Sequence, residues 1–239
     1  MKKTFLLSSL FILLSCAEES SFQFDEIAIE KNEPAYIEVI YPRLDEDSEA
    51  SLKINNGIES TLAAHIAFFE ENTDSLTLNN AISQFENRFL SFKTDFEPDA
   101  TPWEVHINSE VVLQSKYVIT IAIDSYTFTG GAHGNSAITL LNFDPKTGRL
   151  FSQDDLIKTF GDLTILVKHH FNKELEAKGN VNRVDYFFGD DFRLPENIGF
   201  NDEGVIFLYN NYELSSFADG IIEFTIPYSE ISKYLKISH

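Results

Sequence analysis

The chain has 239 residues, 43% of them hydrophobic, with 22 Phe and 9 Tyr. That is enough to bury a substantial core, and it argues against disorder over the whole length. The 18 basic residues stand against 38 acidic ones, a formal charge of −20; such a surface repels phosphate backbones and anionic lipid, which argues against nucleic-acid binding and favours solubility or a basic partner.

Met1–Ser15 (MKKTFLLSSLFILLS) begins with Lys2 and Lys3 and continues as a short apolar run from Phe5 to Leu14. A bilayer-spanning helix needs about 20 apolar residues, so this run has the form of a secretory signal. Leu13-Leu14-Ser15-Cys16 resembles the bacterial lipobox, and Cys16 is the one cysteine in the chain. By that resemblance residues 1–15 are removed and Cys16 becomes the lipid-modified N-terminus. No thiol is then left for a disulfide or a thiolate metal site. Several acyl chains on one residue anchor stably, since each buried CH₂ adds about 0.8 kcal/mol. The alternative is an ordinary signal peptide with a chance cysteine. No Asp follows Cys16, so inner-membrane retention is not suggested and the outer membrane is favoured. Glu18-Glu19 resembles the surface-export signals of some Bacteroidota lipoproteins; a plain solvated tether is the other reading.

Residues 16–34 are polar and mixed, and are expected to form a lipidated tether ahead of a folded domain over 35–239. Ala35–Tyr41 alternates as a first strand, which Pro42 should end. Asp47 or Ser48 can cap a helix carrying Ile54, Ile58, Leu62, Ile66 and Phe69 on one face, slightly weakened by Gly57. A second helix, Thr77–Phe96, places Leu78, Ile82, Phe85, Phe89, Phe92 and Phe96 on a stripe read as core.

Trp103–Gln114 reads as a strand with Val105, Ile107, Val111 and Leu113 on one face. Ser115-Lys116 returns the chain into Tyr117–Phe128, with Ile119, Ile121 and Ile123 facing one way. Thr129–Gly134 holds three glycines and turns the chain; Ser136–Phe143 comes back as a strand, closed by the turn Asp144–Gly148. Ser152 and Asp155 form a capping box. Asp162 then caps a longer helix bearing Leu163, Val167, His170 and Phe171, ended by Gly179-Asn180. Phe192–Phe200 and Gly204–Tyr209 form a hairpin, Gly220–Ile226 a last strand, and Pro227 opens a short C-terminal helix. The fold class is α+β: an antiparallel meander sheet with flanking amphipathic helices.

The candidate binding residues are Gly130, Gly131 and His133 in the glycine turn, the loop acids Asp190 and Asp191, and Tyr209 and Tyr212 after the hairpin. His133 stands where a ligand can approach, or else bonds its own backbone as a turn residue. His169 and His170 point about 100° apart on a helix and do not share a metal. His170 reads as a packed core histidine, and His65 and His106 as isolated. There is no EF-hand spacing, Gly-x-Ser-x-Gly, phosphate loop or dinucleotide fingerprint. No catalytic residue, metal or cofactor is assigned.

Three pieces taken in order carry a family resemblance. They are Thr129–Gly134 with Asn142-Phe-Asp144, Thr147-Gly148 and Asp155-Leu156; Phe200–Asn211 running on to Tyr212-Glu213; and Phe217–Gly220 with Ile226–Ile231 and Tyr234-Leu235. Together they resemble the envelope domain found beside the catalytic domain of the peptidoglycan deacetylase PdaC and in the extracellular part of the anti-sigma factor RsiV, over roughly residues 36–236. The resemblance implies an extracytoplasmic α+β domain, which in RsiV-like proteins is implied to bind lysozyme. The metal-dependent deacetylase domain has no counterpart here: no Asp-Asp stretch resembles its motif and no His-x-x-x-His pair occurs. Neither deacetylation nor anti-sigma activity is expected to carry over. The expectation is a lipid-anchored, non-catalytic envelope protein that binds a lysozyme-like basic protein or peptidoglycan. The alternatives are a small hydrolase or transferase acting on envelope glycans and a structural lipoprotein with no ligand.

Overall fold

A computed structural model describes residues 22–45, 47–67, 76–97, 99–178, 183–214 and 220–237. The signal run, Cys16, Phe69 and the helix end at Gly179-Asn180 lie outside the described residues. The first half is a five-stranded sheet covered on one face by two helices. The strands are β1 (Phe24–Lys31), β2 (Tyr36–Leu44), β3 (Glu104–Gln114), β4 (Ile119–Phe128) and β5 (Asn135–Phe143), in spatial order β1-β2-β3-β4-β5. α1 (Glu49–Ile66) and α2 (Leu78–Asp95) connect β2 to β3. Their amphipathic stripes supply Ile54, Ile58, Leu62, Phe85 and Phe89. These pack against Ile37, Val39, Val105, Ile107, Ile119, Ile121 and Ile123 of the sheet. Ser48 and Thr77 cap the two helices through their hydroxyls. The second half holds α3 (Gln153–Leu156) with its Ser152/Asp155 capping box, α4 (Phe160–Ala177), and a three-stranded antiparallel sheet. That sheet is β6 (Asn197–Phe200), β7 (Gly204–Tyr209) and β8 (Ile222–Pro227), followed by α5 (Tyr228–Ile231). Its core joins Leu163 and Val167 of α4 to Val205, Phe207 and Ile226.

The α+β class holds, and five local expectations change. The expected tether is partly strand: β1 pairs antiparallel with β2 from Phe24↔Leu44 to Lys31↔Ile37, and Lys31 Nζ reaches the two Glu86 carboxylate oxygens on α2 at 2.8 and 2.7 Å. The sheet is not a pure antiparallel meander, because β2 and β3 run parallel; the α1–α2 crossover makes that possible, since a hairpin cannot join parallel strands. Pro42 does not end β2. The β3 register stops at Ile40↔Asn108, so Pro42 lies where β2 is paired only with β1, and a residue without an N–H is tolerated there. The cap of α4 is Thr159 rather than Asp162, which sits in the first turn. Phe96 at the C-cap of α2 is 78% exposed, not core.

A β-bulge in β3 also divides its expected apolar face. Val111 pairs with Ile121 but Leu113 with Thr120, so Val112 is the extra residue. An unpaired residue reverses which face the following side chains take. Val111 therefore packs on the first core and Leu113 on the second.

The two sheets meet along β5 through asparagines. Asn210 accepts from Ile138 N–H and donates to Ile138 C=O, both at 2.8 Å. Asn197 Oδ1 accepts from Leu140 N–H at 3.0 Å. Buried Asn142 accepts from Thr120 Oγ1 at 2.9 Å and donates to Ile198 C=O at 2.6 Å. Side chains of the second half thus take the backbone positions on the outer edge of β5 that another strand would otherwise occupy.

Gly57 in α1 is a point of close approach: a Cβ there would lie 2.7 Å from Cε1 of fully buried Phe143. Gly57→Ala should lower the urea midpoint even though Ala gains about 1 kcal/mol of helix propensity, because overpacking costs about 1–3 kcal/mol. A stabilised variant would refute the contact. Asn210→Ala should cost about 1–3 kcal/mol by stripping both Ile138 backbone groups of their partner, and Asn210→Asp should not restore it, since a carboxylate cannot donate to the carbonyl. An unchanged midpoint in both would show that β5 does not depend on the clamp.

Candidate functional site

Strand register sorts the first sheet into two ends. Phe24, Leu44, Gln114, Ile119 and Phe143 share one end; Lys31, Tyr36, Glu104, Phe128 and Asn135 share the other. The described chain enters at the first end, where Phe22 and Phe24 pack on the core. The glycine turn stands at the opposite end.

Gly130 and Gly131 take φ of 84° and 109°, a region that side chains disfavour, and a Cβ on either would meet nothing within 4 Å. The bare turn forms one wall of a cleft of about 470 Å³ with Phe92, Trp103 and Phe128. A neighbouring cleft of about 330 Å³ shares Phe92 and Trp103 and is edged by Arg88, Asp95 and Phe96. The Trp103 ring is held among Phe85, Phe89 and Phe92 at 5.5–5.8 Å between centroids. Phe96 continues the row, 5.8 Å from Phe92 and open to solvent. Aromatic faces with carboxylates at the rim suit a ligand with an apolar face and hydroxyl edges. His133, exposed in the same turn, bonds through Nδ1 to Gly134 C=O at 2.9 Å, which is the backbone-bonding arrangement of a turn residue.

The other candidate residues gather elsewhere, around the turn Arg183–Gly189. Phe187 and Phe188 have φ of 57° and 53°, unusual for bulky residues, and Gly189 continues at 89°. Asp190 edges a cleft of about 260 Å³ with Lys168, Asn172 and Phe187. Asp191 is exposed beside it. Tyr209 does not serve as a contact residue. It is fully buried in an aromatic cluster with Phe171, Tyr186 and Phe187, and its hydroxyl donates to Arg193 C=O at 2.8 Å. Burial pushes its phenol well above the usual range. Tyr212, with φ of 66°, is half exposed. The neighbouring Glu213 accepts from Asn210 and Glu196 N–H, and burial raises its carboxyl despite those bonds. The clefts at the glycine turn and at Asp190 are lined by different residues.

His65, His106 and His170 each have side-chain partners. His106 lies between Glu38 and Glu104, at 3.3 and 3.5 Å, and its ring is 4.9 Å from Tyr36. His170 is not a core histidine but a half-buried partner of Glu230 at 3.1 Å. His65 bonds Ser125 Oγ at 3.1 Å and Thr139 Oγ1 at 3.0 Å. Ser125 donates its own proton to Ala137 C=O at 2.9 Å, so His65 does not activate it as a nucleophile. Sequence gave no signal for this group, because its members are 60 and 74 positions apart. No cluster of three or more metal-ligating residues and no helix long and apolar enough to cross a membrane occurs among the described residues.

Residues 29–136 match the family described as "Deacetylase PdaC" and residues 150–229 the family described as "Protein of unknown function (DUF3298)". The family resemblance read from the sequence is thereby shown: the chain joins a PdaC segment, β1 through the glycine turn, to a DUF3298 segment, α3 through β8. The fold is similar to a DUF3298 family member from Bacteroides fragilis, at 22% identity and TM-score 0.65 over 90% of this chain and 94% of that one. It is also similar to a DUF3298 family protein from Pseudomonas aeruginosa, at 18% identity and TM-score 0.69 over 91% and 96%. Immunogenic proteins MPB64 of Mycobacterium bovis and MPT64 of Mycobacterium tuberculosis are 25% identical over 166 residues, 68% of this chain and 73% of theirs.

Burial holds the His65 imidazole below its ordinary value of 6.5. The unfolded chain therefore binds a proton near pH 6.5 that the folded chain resists, and stability falls as pH drops below that value. Urea midpoints measured from pH 7.5 to 5 should fall less steeply for His65→Gln than for the parent chain; parallel slopes would remove the assignment.

Proposed function

We propose that this is a lipid-anchored, non-catalytic envelope protein that binds a wall-related partner through the cleft beside Gly130 and Gly131. One observation carries the reading: the aromatic cleft lies at the end of the sheet opposite the end where the chain enters. Cys16 precedes Phe22 by six residues, a reach of at most roughly 20 Å. A lipid on Cys16 would hold the entry end near the bilayer and leave the glycine turn facing outward. Aromatic rings at Phe92, Phe96 and Phe128 offer stacking faces to a sugar, and Asp95 and Glu97 accept from its hydroxyls, so the glycan strand of peptidoglycan fits the cleft. The charge of −20 supports a second partner class, a basic wall-active protein steered by long-range attraction.

The 22–239 fragment contains every described element. It should co-sediment with purified peptidoglycan sacculi, and Phe96→Ala should weaken that binding about tenfold without changing the melting temperature, because Phe96 is exposed. Binding to lysozyme that disappears at high salt and ignores Phe96→Ala would move the partner to the acidic surface. Failure to bind either would overturn the reading, and release of soluble muropeptides in the same tubes would refute its non-catalytic part. In whole cells Cys16→Ser should move the protein out of the membrane fraction; retention there would exclude Cys16 as the anchor.

A further inference from the structure

A further cavity lies at the end of the first sheet opposite the glycine turn, and it shares no lining residue with the clefts described above. Its volume is about 300 Å³, and three separate segments wall it while it stays open to solvent on one side. The β3–β4 tip contributes Leu113 and Val118, the end of β6 contributes Phe200, and the C-terminal strap contributes Leu235 and Ile237. Val118, Phe200 and Leu235 belong to the second core, so the floor is packed and apolar. Leu113 reaches it only because the bulge at Val112 reverses its face; bulges commonly re-aim a side chain beside a site in this way.

The strap is fixed rather than loose. Leu235 bridges Ile157, Lys236 N–H donates to Leu156 C=O at 2.7 Å, and Lys158 N–H donates to Tyr234 C=O at 2.7 Å. The β3–β4 tip is equally fixed, since Ser115 Oγ accepts from both Tyr117 and Val118 N–H. The cavity is therefore preformed, at the small end of the roughly 300–1,000 Å³ range of ligand pockets, with room for one alkyl chain.

The rim selects the head group. Among the described residues lining the cavity, Asp202 supplies a carboxylate and no lysine, arginine or histidine is present to answer a ligand anion. Tyr228 donates its hydroxyl to Asn201 C=O at 2.8 Å and stays neutral, its phenol pushed up to about 12 by burial and by Asp202. A free fatty-acid carboxylate would meet Asp202 with no cation in the lining: Lys236, between Leu235 and Ile237, donates its Nζ to Asp154 C=O at 2.6 Å, and Lys116 lies over the Tyr117 ring. The β3–β4 tip also shares the chain-entry end with Phe24.

We propose that this cavity binds a single acyl chain carried on a head group without net negative charge, and that the bilayer is its source. The choice of source rests on the lipid-anchor reading above, which would bring the entry end to the membrane; the preference of the cavity itself does not.

The test is calorimetric titration of the 22–239 fragment at pH 8 with monomeric 1-decanoylglycerol and, separately, with decanoate. The monoglyceride should bind saturably at one site and decanoate at least about tenfold more weakly. Leu113→Trp should fill the cavity and abolish monoglyceride binding while leaving sedimentation with sacculi unchanged. Asp202→Asn, a change at an exposed position that does not threaten folding, should narrow the gap by strengthening decanoate alone. Absence of saturable monoglyceride binding, decanoate binding as tight as the monoglyceride, or full affinity in a folded Leu113→Trp variant would each overturn the proposal. A lipidated full-length chain that no longer takes up monoglyceride would place the acyl chain of Cys16 in the cavity and overturn the bilayer as its source. Because sedimentation and titration are read separately, loss of wall binding and loss of lipid binding are distinguishable.

Discussion

The outer edge of β5 is the constraint on which the architecture depends. A sheet edge presents unpaired N–H and C=O groups that either recruit another strand or must be satisfied in some other way. Here the second half of the chain satisfies them with side-chain amides. Asn210 reproduces both bonds of a ladder position at Ile138, Asn197 takes Leu140 N–H, and Asn142 reaches from β5 to Ile198 C=O. An amide suits this task because it donates and accepts in one plane, as a peptide group does. The same joint lies between the two matched family segments, which end at residue 136 and resume at residue 150. The segments are therefore not independent lobes: β5 is paired into the sheet of the first and clamped by residues of the second.

The strand register gives the first sheet two chemically different ends. The glycine turn, the aromatic row along α2 and the carboxylates beside it stand where β1 finishes. The cavity walled in part by the C-terminal strap stands at the end of the sheet where β1 begins. The bulge at Val112 links the two regions, because it lets one strand contribute Val111 to the first core and Leu113 to the second.

Most of the polar side chains that first suggest chemistry are committed to structure. His65 ties α1 to β4 and β5, His106 bridges carboxylates on β2 and β3, His170 holds Glu230, and Tyr209 ties the aromatic cluster to Arg193. Each bond answers the cost of an unpaired polar group, about 1–3 kcal/mol when it is buried. At the cleft beside Gly130 and Gly131, what stays open is the aromatic surface of Phe92, Phe96 and Phe128, the glycine backbone, and the carboxylates of Asp95 and Glu97.

The sequence by itself determined the local elements. The i, i+4 stripe from Ile54 to Ile66, the caps at Ser48 and Thr77, the Ser152/Asp155 box and the alternation at Ile119, Ile121 and Ile123 each depend on residues within a turn or a pleat of one another. The glycine turn was legible for the same reason, and the ordered motifs carried the family resemblance. Tertiary structure alone decided that Phe24–Lys31 joins the sheet, that β2 and β3 run parallel, that Leu113 faces away from Val111, and that Phe96 is exposed while Tyr209 is sealed in. It also decided which candidate residues share a cleft: Gly130 and Gly131 line one with Trp103 and Phe92, whereas Asp190 lines another with Lys168. Periodicity and capping act over a few residues, but pairing partners, bulges and cleft walls are set by contacts between segments dozens of residues apart, and no local pattern encodes those.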